Sequence, residues 1–285
     1  MAILLAFGRE GRNNQLGNAT DTVVLGSENQ NMFAATHVKT LSALLESIET
    51  GLDQKPGTRW FRGCSDFNHA LLPSLMRHPD VSSGVASAAA MEERLTAKFR
   101  QTSPPFLGAP PDSKFDWMFL QQHYGVPTRL LDWTENPFIA LYFALSDRAQ
   151  NGPPCIWVLD PLEWTRQALN NPTISRIPEP QDSAARNFLD NLNDPVVPPH
   201  YPIALYSNHT NARIVAQRGT FTMFGVGTLP MERLPYARQC LQCFVIDEAV
   251  RAPLLGKLNA IGYTHSVVYP DLSGLGREIK TLFGF

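Results

Sequence analysis

The sequence of 285 residues predicts an α+β fold, in which a mixed or antiparallel sheet is flanked by helices. Two observations lead to this prediction. Short apolar segments typical of strands are scattered among segments with helical spacing, without a regular βαβ alternation. No GxGxxG motif follows a predicted strand, which argues against a doubly wound dinucleotide-binding fold. The sheet is further expected to be split, for a reason given below.

Composition excludes some classes of protein. The chain is 44% hydrophobic and 18% charged, with a formal net charge of -2, so attraction of the whole surface to nucleic acid or an anionic membrane is not expected. No apolar run reaches the roughly 18 residues that span a bilayer. Residues 1–8 (MAILLAFG) lack a basic leader and a cleavage site, and we interpret them as a first strand in a cytoplasmic protein.

The four cysteines predict neither a disulfide framework nor a metal site. Cys240 and Cys243 form a lone CxxC pair, with no second pair and no histidine at a suitable spacing. A zinc site would need ligands from elsewhere in the fold. We therefore expect structural thiols and no bound metal.

The secondary-structure elements that precede residue 117 are predicted from local sequence patterns. We divide the chain into an N-terminal strand and loop region (1–39) and a main domain (40–285). In order, the predicted elements are a polar loop (9–36), an amphipathic helix (40–52), a short aromatic strand (59–63), an exposed loop (79–90) and a helix (91–101).

The segment 117–144 (WMFLQQHYGVPTRLLDWTENPFIALYFA) organises the rest. Gly125 is expected to end a helix, and Pro127 to direct the chain into a strand that begins near Thr128. Asn136 and Pro137 fit the start of a second helix. Polar residues crowd the turns and strand ends, where a rigid scaffold presents groups for chemistry: His123, Tyr124, Arg129, Asp132, Thr134 and Glu135.

After this segment the pattern predicts five strands and two helices, without any internal repeat. The strands are expected at 155–160, 201–206, 213–224, 243–247 and 266–269, and the helices at 183–192 and 249–260.

Five ordered blocks resemble the FRG domain family, named for a Phe-Arg-Gly signature. The blocks are WFRG (60–63), LLPSLMR (71–77), QQHYGVPTRLLDWT (121–134), NPFIALYFAL (136–145) and AQRGTF (216–221). The final segment, IGYTHSVVYPDLSGLGREIK, is similar to the C-terminal end of such domains. The resemblance covers roughly residues 40–280. The family name denotes a sequence pattern more than an assigned reaction.

The order of the blocks is also similar to the layout of ADP-ribosyltransferases, in which a split antiparallel sheet holds NAD in a cleft. This resemblance implies NAD as substrate and no metal. It implies that Arg62 holds the phosphates or the nicotinamide ribose, and that Thr134 lines the nicotinamide with His123 or Tyr124. The implied catalytic set is Arg62, His123, Gln217 and Glu135; the implied NAD-binding set is Arg62, Gly63, Tyr124, Arg129, Thr134 and Phe221.

Gln217 departs from the pattern of that superfamily. It stands where many such enzymes have a catalytic glutamate, and a glutamine can bond a ribose hydroxyl but cannot act as a general base. The reaction would then use Asp132 or Glu135, or would depend on positioning and on stabilising the departing nicotinamide.

Structural roles are the alternative for several of these residues. Arg62 could pair with Asp132 or Glu135, and Asp132 on an apolar strand is expected to be buried in an ion pair with Arg129 or Arg62. A shared cleft requires that Arg62, His123 and Gln217 lie within reach of one another.

Two hypotheses for the function remain, an enzyme and a binding module. The first is an NAD-consuming enzyme that transfers ADP-ribose to a protein or nucleic-acid acceptor, or hydrolyses NAD, as in bacterial toxins and anti-phage effectors. The second is a non-catalytic module that binds a nucleotide or a protein partner in the same cleft. The convergence of polar groups on strand ends favours the first, and the missing glutamate favours the second.

Overall fold

The structure is a computed structural model that describes residues 20–24, 33–84, 86–147, 152–194, 199–208 and 212–285. In these ranges, eight strands form one sheet in the order β1-β2-β8-β5-β3-β4-β7-β6. The strands are β1 Thr20–Val24, β2 Ala34–Val38, β3 Trp60–Cys64, β4 Leu130–Thr134, β5 Cys155–Leu159, β6 Ile203–Tyr206, β7 Gly219–Met223 and β8 Leu241–Ile246. The strand expected at 1–8 lies outside the described residues.

Helices flank this sheet, which confirms the α+β prediction. They are α1 Leu41–Gln54, α2 Pro79–Ser82, α3 Ala88–Thr102, α4 Lys114–His123, α5 Pro137–Ser146, α6 Pro161–Ala168, α7 Ser183–Asp190, α8 Ala212–Gln217, α9 Ala237–Cys240, α10 Arg251–Ala260, α11 His265–Val268 and α12 Leu272–Leu282. Short 3₁₀ turns connect several of them.

The sheet is mixed and divided near its middle. The pairing of β2 with β8 is parallel, and the other neighbouring strands pair antiparallel. Strands β3 and β5 share five residue pairs, as do β4 and β7, but β3 and β4 share only the pair Phe61 and Thr134. Beyond that pair, β3 and β4 do not continue a ladder. The sheet therefore narrows to a single residue pair between these two strands, a point called the split below.

The central segment folds as its turn residues predict. Gly125 adopts φ +74° directly after α4, the left-handed conformation that glycine tolerates at a helix end. The Asn136 side chain accepts a hydrogen bond from the backbone N–H of Phe138 at 2.9 Å, and Pro137 takes the first position of α5.

Four expectations outside the centre were wrong, one of which, at Gln217, is described with the site below. Residues 266–269 were predicted as a strand, but the chain forms α11 there, between a Thr264 cap and Pro270. The loop predicted over 79–90 contains α2. The loop predicted over 9–36 overlaps β1 and β2, and β2 is held in place by β8, some 200 residues later in the sequence, a contact that a local pattern does not reveal.

Helix α5 lies directly on β3, and Gly63 makes this contact possible. A Cβ atom at position 63 would lie 1.8 Å from the carbonyl oxygen of Ala140 and 2.7 Å from the backbone nitrogen of Ala144. Both alanines are fully buried. The glycine of the Phe-Arg-Gly signature therefore lets a strand and a helix backbone approach more closely than any side chain would allow.

Replacement of Gly63 by alanine is expected to destabilise the protein strongly. Because the new methyl group meets backbone atoms, α5 must move away from β3, and we expect a loss of about 3 kcal/mol or more in the free energy of unfolding, measured by chemical denaturation. Gly108→Ala is the matched control, since no atom lies within 4 Å of its Cβ position. Equal stability of the two variants would contradict this account.

Candidate functional site

A cleft of about 350 Å³ opens at the split between β3 and β4. Its walls come from β3, β4 and β7, from the segment after β3, and from α4, α5 and α8. The volume is in the range of small-molecule sites, roughly 300–1,000 Å³. Six of the residues predicted for the site line this cleft: Arg62, Gly63, His123, Thr134, Gln217 and Phe221.

Arg62 bridges the split. Its Nη1 donates a hydrogen bond of 2.7 Å to the backbone carbonyl oxygen of Asp132, on the strand across the gap. Its Nε is buried without a hydrogen-bond partner. Among the described residues, no carboxylate lies within 4.0 Å of the guanidinium, so the alternative ion pair with Asp132 or Glu135 is not formed. The cation is therefore available to an anionic ligand.

The carboxylate of Asp132 faces the cleft and is not buried, contrary to the sequence-based expectation. Asp132 is exposed in a strand whose other four residues are buried, because β3 and β4 separate at this point. Its Oδ2 accepts a hydrogen bond of 2.9 Å from Nε2 of Gln122, and the expected ion pair with Arg129 or Arg62 is absent from the described structure.

Gln122 also lines the cleft and was not predicted as a site residue. Its Oε1 accepts a hydrogen bond of 2.5 Å from the hydroxyl of Thr128, whose oxygen accepts from the backbone N–H of Leu130 at 3.1 Å. The available signal was its place one residue before His123, in the last turn of α4.

Thr134 and Gln217 meet on the opposite wall of the cleft. The Thr134 hydroxyl donates to the backbone carbonyl of Gln217 at 2.5 Å, and the Gln217 Nε2 donates to the carbonyl of Val268 at 2.9 Å. Gln217 ends α8, whereas a strand was expected at this position. The following residue, Arg218, has φ +47° and turns the chain into β7.

His123 is half buried in the cleft wall. Burial lowers its pKa from the ordinary value of 6.5, and the nearby Arg213 cation lowers it further, while Asp271 partly opposes the shift. The imidazole is therefore neutral near pH 7 and can accept a proton or a hydrogen bond.

Three predicted residues lie outside the cleft lining. The Glu135 carboxylate accepts a hydrogen bond from the Tyr206 hydroxyl at 3.1 Å and lies 3.6 Å from the Arg218 guanidinium. Tyr124 is 66% exposed, and its ring packs edge-on against the His123 ring, with 4.7 Å between the ring centroids. Their assigned roles stay predictions, and these positions do not favour them.

Arg129 also lies outside the cleft lining, in the protein interior. It is 1% exposed, pairs with the Glu92 carboxylate at 2.7 Å, and donates to the carbonyl oxygens of Phe224 and Gly225. All these partners are structural, because they tie the start of β4 to α3 and to the end of β7. Its predicted role in NAD binding is not favoured by this position.

The cleft combines positive charge with aromatic rings. Besides Arg62, Arg77 and Arg213 line it, and in the described part of the chain neither forms an ion pair with a carboxylate. Arg213 instead lies 4.9 Å from the Tyr269 ring centre. The rings of Phe119 and Phe221 lie in the same wall, stacked at 5.3 Å. An anionic ligand with flat apolar parts suits this lining.

Neither a metal cluster nor a membrane helix is found where the chain is described. No group of three or more His, Cys, Asp or Glu side chains is arranged to hold a metal ion in these ranges. None of the described helices has the length and apolar character needed to cross a bilayer. The four cysteines are free and buried, and a hydrogen bond with the Cys155 thiol, together with burial, raises the pKa of Cys64, which lines the cleft.

Loss of the Arg129 charge is expected to cost stability. In Arg129→Met, Glu92 keeps a largely buried carboxylate without its partner, so the free energy of unfolding should fall by about 3–5 kcal/mol. Arg176→Met removes the exposed ion pairs with Glu179 and Asp182 and should cost no more than about 1 kcal/mol. Denaturant titration of both variants measures the difference, and comparable losses would contradict the structural role of Arg129.

The lowered pKa of His123 predicts a pH dependence of stability. Because the folded state binds a proton less readily than the unfolded chain, falling pH below 6.5 favours unfolding, until the pH is below the folded pKa as well. His123→Gln removes this contribution. We therefore expect the variant to lose less stability than the wild-type protein between about pH 7.5 and 5. Thermal unfolding at both pH values tests this, and parallel losses in the two proteins would contradict it.

Comparison with known proteins supports the resemblance to the FRG domain family. Residues 57–152 match the model of the FRG domain family. This range holds β3, α4, β4 and most of the cleft residues discussed above, including Arg62, Gln122, His123 and Asp132. No significant match is found among curated proteins or among solved structures.

Proposed function

We propose that the cleft binds NAD and that the protein consumes it; residues 57–152, which match the FRG domain family, supply most of the residues that line this cleft. In this proposal the nicotinamide–ribose bond is broken and ADP-ribose is transferred to a protein or nucleic-acid acceptor, or to water. NAD is the only small molecule required, and no metal takes part.

The observation that carries the proposal is the position of Arg62 in the split of the sheet. Its guanidinium is held by one hydrogen bond to the opposite strand and has no carboxylate partner in the described ranges, so it can bind a phosphate. Arg77 and Arg213 in the same lining suit the second negative charge of a diphosphate.

The reaction needs little from the protein beyond positioning and charge. As the bond to nicotinamide weakens, positive charge develops on the ribose, and the departing nicotinamide is neutral. The Thr134 side, where Gln217 also lies, would hold the nicotinamide ribose, as the sequence resemblance implies. A carboxylate facing the cleft stabilises the charged ribose.

The biological role we propose is that of a bacterial toxin or an anti-phage effector that acts in the cytoplasm. Consumption of NAD or modification of an essential acceptor would stop growth. A reducing compartment suits a protein whose four cysteines are free and buried.

A second candidate is a non-catalytic module that binds a nucleotide or a protein partner in the same cleft. The engagement of Gln217 favours it, because the donor of this side chain is committed to the Val268 carbonyl and the residue carries no carboxylate. The position of Glu135 outside the cleft lining favours it as well.

The proposed enzyme activity is tested by incubating the purified protein with NAD and measuring the release of nicotinamide. We expect release by the wild-type protein and a reduction of about 10- to 100-fold in Arg62→Ala, corresponding to the loss of a charge-assisted hydrogen bond to phosphate. Arg94→Ala, on the exposed side of α3, is the matched control and should keep full activity.

Binding of NAD is measured separately, from the melting temperatures of the wild-type protein and the variants with and without NAD. No release, together with no stabilisation of the wild-type protein by NAD, would refute the proposal. Stabilisation that is lost in Arg62→Ala, without any release of nicotinamide, would favour the binding module.

A further inference from the structure

A chain of hydrogen bonds holds the Asp132 carboxylate at the edge of the cleft. The backbone N–H of Leu130 donates to the Thr128 oxygen at 3.1 Å, and the Thr128 hydroxyl donates to Oε1 of Gln122 at 2.5 Å. Nε2 of Gln122 then donates to Oδ2 of Asp132 at 2.9 Å. All four residues belong to the block 121–134, so one short segment builds the whole chain of bonds.

The direction of every bond in this chain is determined. A carboxylate can only accept, so Gln122 presents its NH₂ group to Asp132 and its Oε1 to Thr128. An amide oxygen can only accept as well, so the Thr128 hydroxyl donates to it, and the Thr128 oxygen accepts from the backbone N–H of Leu130. Asp132 receives this bond on Oδ2. In the described part of the chain Oδ1 has no hydrogen-bond partner and is free to act in the cleft.

Other carboxylates near the cleft are less suited to act on a ligand. Glu135 does not line the cleft, and its oxygens contact Tyr206 and Arg218. Asp147 lines the cleft at the exposed end of α5, but within the described ranges no side chain holds its carboxylate in place. Asp132 alone in this set combines access to the cleft with a fixed orientation.

We propose that Asp132 is the catalytic carboxylate of the NAD reaction and that Gln122 and Thr128 are its positioning residues. This inference rests on the proposed function. The C1′–N bond to nicotinamide breaks, and nicotinamide leaves as a neutral molecule with the bonding electron pair. A water or acceptor hydroxyl forms the new C1′–O bond. Its proton passes to Oδ1 of Asp132 and from there to solvent, so that NAD⁺ and water give ADP-ribose, nicotinamide and H⁺.

Kinetics of nicotinamide release by three variants test the assignment. A general base contributes about 10²- to 10⁴-fold, so Asp132→Asn should lower kcat by at least about 100-fold with KM nearly unchanged. Gln122→Leu and Thr128→Val should lower kcat by about 10-fold, because Asp132 keeps its carboxylate but loses its orientation. Gln121→Leu is the matched control: the neighbouring glutamine bonds Thr96 on α3, away from the cleft, and its kcat should stay within about threefold.

A double variant separates positioning from a general structural effect. If Gln122 acts through Asp132, then adding Gln122→Leu to Asp132→Asn should change kcat no further, although Gln122→Leu alone lowers it. A further tenfold loss in the double variant would overturn the positioning role. Melting temperatures establish that each variant is folded, and Asp132→Ala replaces Asp132→Asn if that variant does not fold, with the same loss expected because the carboxylate is again removed.

The outcomes distinguish this inference from the proposed function. If wild-type protein releases nicotinamide and Asp132→Asn retains kcat within about threefold, the assignment of Asp132 is overturned and the enzyme stands. A raised KM with unchanged kcat would also overturn it, since Asp132 would then only bind the substrate. If wild-type protein releases no nicotinamide, the proposed function and this inference are overturned together.

Discussion

The hydrogen bond from Arg62 to the carbonyl of Asp132 is the contact on which the site depends. Between two central strands, a backbone carbonyl normally accepts from the backbone of its neighbour. Strands β3 and β4 share only one residue pair, so the guanidinium supplies the donor that the ladder lacks. The strands can then separate without leaving this carbonyl unpaired, and the space between them becomes the cleft.

Two buried contacts keep the halves of the sheet in position on either side of this bond. On one side Gly63 brings β3 against the backbone of α5. On the other side Arg129 connects the start of β4 to Glu92 and to the carbonyls that follow β7. Both contacts are buried, so moving either half of the sheet would create a steric gap at Gly63 or leave a buried charge without its partner.

The block 121–134 contains residues that face the cleft and residues that are buried in the protein interior. Gln122, Thr128 and Asp132 are joined by hydrogen bonds that end at the cleft, whereas Arg129 points into the interior. The C-terminal part of the chain reaches the same site, because Gln217 bonds the carbonyl of Val268 in α11. A site assembled from α4, β4, α8 and α11 thus draws on segments that lie far apart in the sequence.

Local sequence signals were enough to predict the fold class, the helix end at Gly125, the helix start at Asn136, and the segment that holds most of the candidate site. These features depend on local signals: a left-handed glycine, a capping side chain and the period of apolar residues. Tertiary structure decided which polar residues face the cleft, because β4 is exposed at Asp132 only where β3 separates from it. It also decided that Arg129 is buried against Glu92 and that residues 265–268 are helical. These depend on partners such as Glu92, and contacts between distant parts of the chain cannot be inferred from the spacing of residues within one segment.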